Sequence, residues 1–144
     1  MSKDDNTELS RQTSSSRDWL IGVAGWFFPG AGHLIQGNWW RALLMGGTVW
    51  IAFVAGIMMG GRLFRYSGTE EGMSSLLQIP PMIANLGAGL LYPASWLIGV
   101  GFTDDPQLAA RATFEYGTTF LLIAGLLNYL CMLDAFDISA GRKP

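Results

Sequence analysis

Four long stretches of the chain carry no charged side chain: Trp19–Trp40, Ala42–Gly61, Gly72–Thr103 and Tyr116–Leu133. A hydrocarbon core about 30 Å thick is crossed by about 20 apolar residues, each rising 1.5 Å, so runs of this kind read as membrane helices. The pattern predicts an all-α integral membrane protein with four transmembrane helices, at about 19–35, 42–61, 81–101 and 116–135. Residues 1–18 are polar and mixed in charge and read as a flexible tail. Residues 19–138 form the transmembrane domain and 139–144 a second tail.

Each run has its own punctuation. In the first, Pro29 lacks a backbone donor and Gly30 loosens the chain, so a helix stopped at Phe28 would be too short to cross. The expectation is a helix kinked at Pro29 that continues to His33 and Ile35. In the second run Thr48, Ala52, Gly56 and Gly60 recur every fourth residue, a stripe of small side chains that lets another backbone approach. Packing within the chain is preferred over homodimerisation through this face. The third run exceeds one span and contains Pro80-Pro81 and Pro93. It divides into a short interfacial segment ending at Ile79 and a span kinked at Pro93. Thr103-Asp104-Asp105-Pro106 is a helix start, with acceptor side chains before a proline in the first turn.

Composition narrows the class. Only 14% of the residues are charged, against roughly 25% in soluble domains. The net charge of -2 argues against nucleic acid as a partner. Four spans in 144 residues leave no room for a soluble catalytic domain. The single cysteine, Cys131, lies inside the last run and reads as a buried packing residue.

Lys and Arg set the orientation. With four crossings, one face carries Lys3, Arg11, Arg17, Arg62, Arg65, Arg142 and Lys143, and the other only Arg41 and Arg111. Such an excess marks the cytoplasmic side. A first run that stopped at mid-depth and returned would leave five (Lys3, Arg11, Arg17, Arg41 and Arg111) against four, so the four-span arrangement is preferred. Both termini are therefore expected in the cytoplasm, with the hairpin around His33 facing outward.

The candidate chemistry is sparse. His33, with Gln36 and Arg41, lies at the turn after the first run, and on the four-span arrangement its acidic neighbours would be Asp104, Asp105 and Glu115. A boundary histidine can carry a proton, ligate a metal or bond a carbonyl. With no second histidine and no cysteine pair, a structural hydrogen bond is the preferred reading, and neither a metal nor a cofactor is expected. Glu115 reads as a helix-entry residue within reach of Arg41. Asp134 and Asp137 read as membrane-boundary anchors paired with Arg62 or Arg65. Asn85 and Asn128, the strongly polar residues deep in the runs, are expected to bond each other, a helix-to-helix link of about 0.6–2 kcal/mol.

Pro29-Gly30-Ala31-Gly32-His33, Gly37 and Trp40-Arg41-Ala42-Leu43-Leu44 resemble the hairpin of bacterial membrane proteins related to the two-transmembrane-helix domain. Phe114-Glu115-Tyr116-Gly117-Thr118-Thr119 and Ala124-Gly125-Leu126-Leu127-Asn128, followed by Leu133-Asp134, resemble a bacterial domain-of-unknown-function family of about this length. Where the wider group often has Phe-Tyr-Leu-Gly after the histidine, this chain has Leu34-Ile35-Gln36-Gly37. The resemblance implies a bacterial inner-membrane location and says nothing of activity. Taken together, these readings describe a small multi-pass protein, non-enzymatic, serving as a structural or accessory component of a membrane assembly. Its partners are the lipid bilayer and a second copy or another membrane protein. The competing class is a transporter or channel subunit whose oligomer encloses a pore lined by Asn85, Asn128 and Thr118.

Overall fold

The computed structural model describes residues 16–65, 73–102 and 105–142, and all regular structure among them is helical. Most of the tail expected at 1–18, together with Thr103, Asp104, Lys143 and Pro144, lies outside the described residues. The helices are α1 (16–27), α2 (Ala31–Ile35), α3 (Trp39–Met58), α4 (Met73–Leu86), α5 (Leu91–Ile98), α6 (Pro106–Ala109) and α7 (Phe114–Ser139).

The longest helix, α7, is the mast on which the rest is hung. Gly56 of α3 faces Leu121 and the Gly117 carbonyl, and Gly61 lies against the Gly117 backbone. At the other end, Gly46 of α3 meets Pro29 and Gly30, which lead into α2 beside Ala135. So α3 runs antiparallel to α7 along most of its length. Small residues make this possible, because a Cβ at Gly61 or Gly117 would fall within van der Waals distance of backbone atoms on the facing segment. Of the expected stripe, Ala52 and Gly56 pack inward, Thr48 is exposed and bonds the Leu44 carbonyl at 2.7 Å, and Gly60 lies past the helix end with φ 83°. A π-helical turn at Ala42–Gly46 widens α3 where it passes Gly30.

Four full-length spans were expected; among the described residues two helices, Trp39–Met58 and Phe114–Ser139, are long and apolar enough to cross a membrane. The first run is not a kinked crossing. Helix α1 ends at residue 27, and Gly30, with φ 90°, turns the chain back into the short α2. A proline without a donor followed by a residue that tolerates the left-handed region permits such a reversal. Gly32 then lies against the Ile21 carbonyl and Gly25 of the outgoing helix. The third run is also broken, at residues 87–90, while Pro80 and Pro81 lie inside an uninterrupted α4. Pro93 causes no kink because it occupies the first turn of α5, where an amide has no intrahelical acceptor to lose. The start signal at Asp105 holds: its carboxylate accepts from Gln107 N at 2.8 Å and opens α6.

The interior is largely apolar, with Val49, Phe53, Leu63 and Leu121 buried, but large apolar side chains also cover much of the surface, and a few polar ones are enclosed. Met58 and Leu97 are each 78% exposed, whereas Asn85 and Asn128 are 0% and His33 1% exposed.

Candidate functional site

Both interruptions end on one side chain. Asn128, in the middle of α7, donates through Nδ2 to the Trp26 carbonyl at 2.8 Å and to the Gly87 carbonyl at 2.8 Å. These oxygens lie at the C-terminal ends of α1 and α4, where carbonyls lose their helical partners. The two breaks also touch directly: Leu90 N donates to the Phe27 carbonyl at 2.8 Å, and a Cβ on Gly89 would lie 2.0 Å from the Trp26 oxygen. Beside them, Gly125 lets the Ala84 carbonyl onto α7, and Tyr129 Oη donates to the Ile83 carbonyl at 3.0 Å. A stopped helix in a dry interior requires such donors, since each unsatisfied backbone group in hydrocarbon costs several kcal/mol.

The expected Asn85–Asn128 bond does not form: Asn128 gives its donors to backbone, and Asn85 Nδ2 does not pair with Asn128 Oδ1. Asn85 is fully buried with no hydrogen-bond partner for Oδ1 or Nδ2, and Asn128 Oδ1 has none either.

A second polar cluster lies at the C-terminal end of α7. Helix α2 brings His33 Nε2 to 3.8 Å from Asp134 Oδ2, and Gln36 Nε2 donates to the Ala135 carbonyl at 2.7 Å. His33 is buried, with no hydrogen bond at either ring nitrogen. Burial lowers its pKa below 6.5, Asp134 pulls it up and Arg41 pushes it down. The imidazole is therefore held toward its neutral form. At the same end, Ser139 Oγ donates to Asp18, Trp19 stacks edge-on against Phe136 at 6.2 Å, and Asp137 lies 3.4 Å from Arg142.

This placement corrects the sequence reading. His33 is on the face shared by Asp18 and Ser139, so its acidic neighbour is Asp134 and not Asp105 or Glu115. The misassigned acid follows from counting the third run as a crossing, which puts three spans in place of two between His33 and Asp134; counting the first run as one separated His33 from Asp18. Glu115 is exposed at the opposite end of α7, remote from Arg41, which opens α3 beside His33. Asp137 pairs with Arg142 of its own terminus in place of Arg62 or Arg65. Arg62 instead lies at the Gly117 end, where its backbone amide donates to Thr118 Oγ1 at 3.1 Å. Of the hairpin motif, Pro29, Gly30 and Gly32 are buried in the turn, while Gly37 faces open space. Gly87, Gly89 and Gly125 were missed as determinants. Their only signal was a small residue in an apolar run.

Among the described residues, no group of three His, Cys, Asp or Glu side chains is arranged to hold a metal ion. The sequence profile described as a family of unknown function (DUF6677) matches residues 20–144. No curated protein and no solved structure matches the chain.

Proposed function

The chain belongs to this family of unknown function, DUF6677, and from that premise we propose that it is a non-enzymatic, membrane-embedded scaffold, an accessory component of a membrane assembly. The observation that carries the reading is the apolar surface: exposed Leu, Ile, Met and Trp side chains around an interior that also encloses Asn85, Asn128 and His33. An apolar surface of that extent is a liability in water and an asset in lipid.

In this reading only α3 and α7 cross. Helices α1 and α2 enter from the face that holds Asp18 and Ser139, reach Asn128, and return. Arg17, Arg41 and Arg142 lie on that face, Lys3 and Arg11 precede it, and Lys143 follows it, six positive charges in all. Arg62, Arg65 and Arg111 go to the other face, three in all. The excess again puts both termini in the cytoplasm of a bacterial inner membrane, now with His33 beside them.

Cysteine accessibility tests this orientation. In a Cys131→Ala background, Asn38→Cys should resist an impermeant thiol reagent in intact cells and Arg111→Cys should react. Labelling of Asn38→Cys overturns the re-entrant topology, and extraction of the chain by alkaline carbonate overturns membrane embedding.

A transporter or channel subunit is the second reading. Interrupted helices that meet in mid-membrane are a feature of substrate sites in transporters, and Asn85 is buried there with unsatisfied polar atoms. An oligomeric pore lined by Asn85, Asn128 and Thr118 is not this arrangement, because all three are buried inside one chain. A protomer mass in detergent combined with solute uptake in vesicles would favour a monomeric transporter over a scaffold.

A further inference from the structure

Between the first half of α3 and the last half of α7 lies an open groove of about 520 Å³, within the usual range for small-molecule sites. Leu44 and Met45 form one wall, Leu127 and Leu130 the other, and Asp134 and Asp137 stand at one end. The apolar trough ends in two carboxylates near the C-terminal end of α7, where a headgroup and an acyl chain can be met by one surface.

The charged end is more than a pair of acids. Arg142 lies 3.4 Å from Asp137, so an acid and a base stand side by side at the mouth. Asp134 is backed by His33, whose ring is buried with neither nitrogen hydrogen-bonded and whose Nε2 is 3.8 Å from the carboxylate. The imidazole thus backs the carboxylate that lines the groove.

We propose that this groove binds a phospholipid with a primary-amine headgroup, of the phosphatidylethanolamine type. The acyl chain lies along Leu44, Leu127 and Leu130, the ammonium meets Asp134 and Asp137, and the phosphate meets Arg142. An anionic lipid such as phosphatidylglycerol offers no cation to the two carboxylates, and that is the basis of discrimination. The inference rests on the membrane-embedded reading above.

Native mass spectrometry of the full chain tests it, using mixed micelles with equimolar phosphatidylethanolamine and phosphatidylglycerol of matched acyl chains. The wild-type chain should retain the amine lipid about fivefold over the anionic one, the size expected of a partly solvated ion pair. Combined Asp134→Asn and Asp137→Asn substitution should bring the two lipids to parity without removing lipid altogether. Leu130→Trp, which fills the trough, should lose both. Parity in the wild type, or a preference that survives the double substitution, overturns the proposal. If the double variant does not fold, Asp137→Asn alone, at the rim, must still narrow the preference. A chain that carries no lipid and remains outside the membrane fraction overturns the membrane reading itself, a result distinct from bound lipid without preference.

Discussion

The two interrupted runs reach the same junction by different chemistry. The first stops where its sequence is most disruptive, with Pro29 withholding a donor and Gly30 at φ 90° reversing the chain. The second ignores its own loudest signal. Pro80 and Pro81 sit within α4, and the break comes at residues 87–90, which contain no proline. Proline removes a hydrogen bond, but a helix stops in a dry interior only where its freed carbonyls find donors. Asn128 is that donor for both Trp26 and Gly87.

The steepest test attacks the contact between the breaks. Gly89 has φ 60°, and a Cβ there would fall 2.0 Å from the Trp26 carbonyl. Gly89→Ala should destabilise by about 3–5 kcal/mol, combining overpacking against backbone with a left-handed conformation. Gly37 has φ 78° but nothing within 4 Å, so Gly37→Ala should cost about 1 kcal/mol, the conformational part alone. Reversible unfolding in mixed micelles measures both. Similar losses would mean that the breaks are not in contact.

Next in size are the two buried asparagines. Asn128→Ala strands two carbonyls, one buried and one half-buried, and should cost about 2–4 kcal/mol. Asn85→Leu removes a buried amide that has no partner, and should be neutral or stabilising. The same unfolding measurement separates them. A large loss from Asn85→Leu combined with lost uptake would shift the balance to the transporter reading.

A smaller effect concerns His33. Its folded pKa lies below 6.5, chiefly through burial, with Asp134 opposing and Arg41 assisting. The unfolded chain therefore binds a proton first as pH falls. Stability from the neutral ring is complete above 6.5 and declines as pH falls toward the folded value. His33→Gln should flatten that part of the stability–pH profile. An unchanged profile would show that the ring is solvated and the α2 turn open.

Helical class and the two long apolar helices were legible because length, apolarity and scarcity of charge are local properties of Trp39–Met58 and Phe114–Ser139. The junction was not. Asn128 bonds main-chain oxygens, and a carbonyl has no residue identity to read. His33 was singled out by its rarity, but its partner Asp134 depended on which runs cross. Charge counting on four crossings placed the two on opposite faces. A returning first run with the third run still crossing splits the charges five against four, so counting argued against re-entry; the excess returns, six against three, only when the third run also turns back.

The smallest predicted effect is the most economical check on why the second run breaks. Pro93 looks like a helix breaker three residues after Leu90, yet α5 begins at Leu91, so its missing donor falls in the first turn. There the donor is unused in any helix, and Pro93→Ala should change stability by no more than about 0.5 kcal/mol. If Pro93 instead held α4 and α5 apart, alanine would let the helix run through residues 87–90. The gain would approach the roughly 3 kcal/mol that an interior proline costs, and the Asn128 bond to Gly87 would be lost. A near-silent Pro93→Ala beside a severe Gly89→Ala would therefore assign the break to packing on α7, with proline only tolerated beside it.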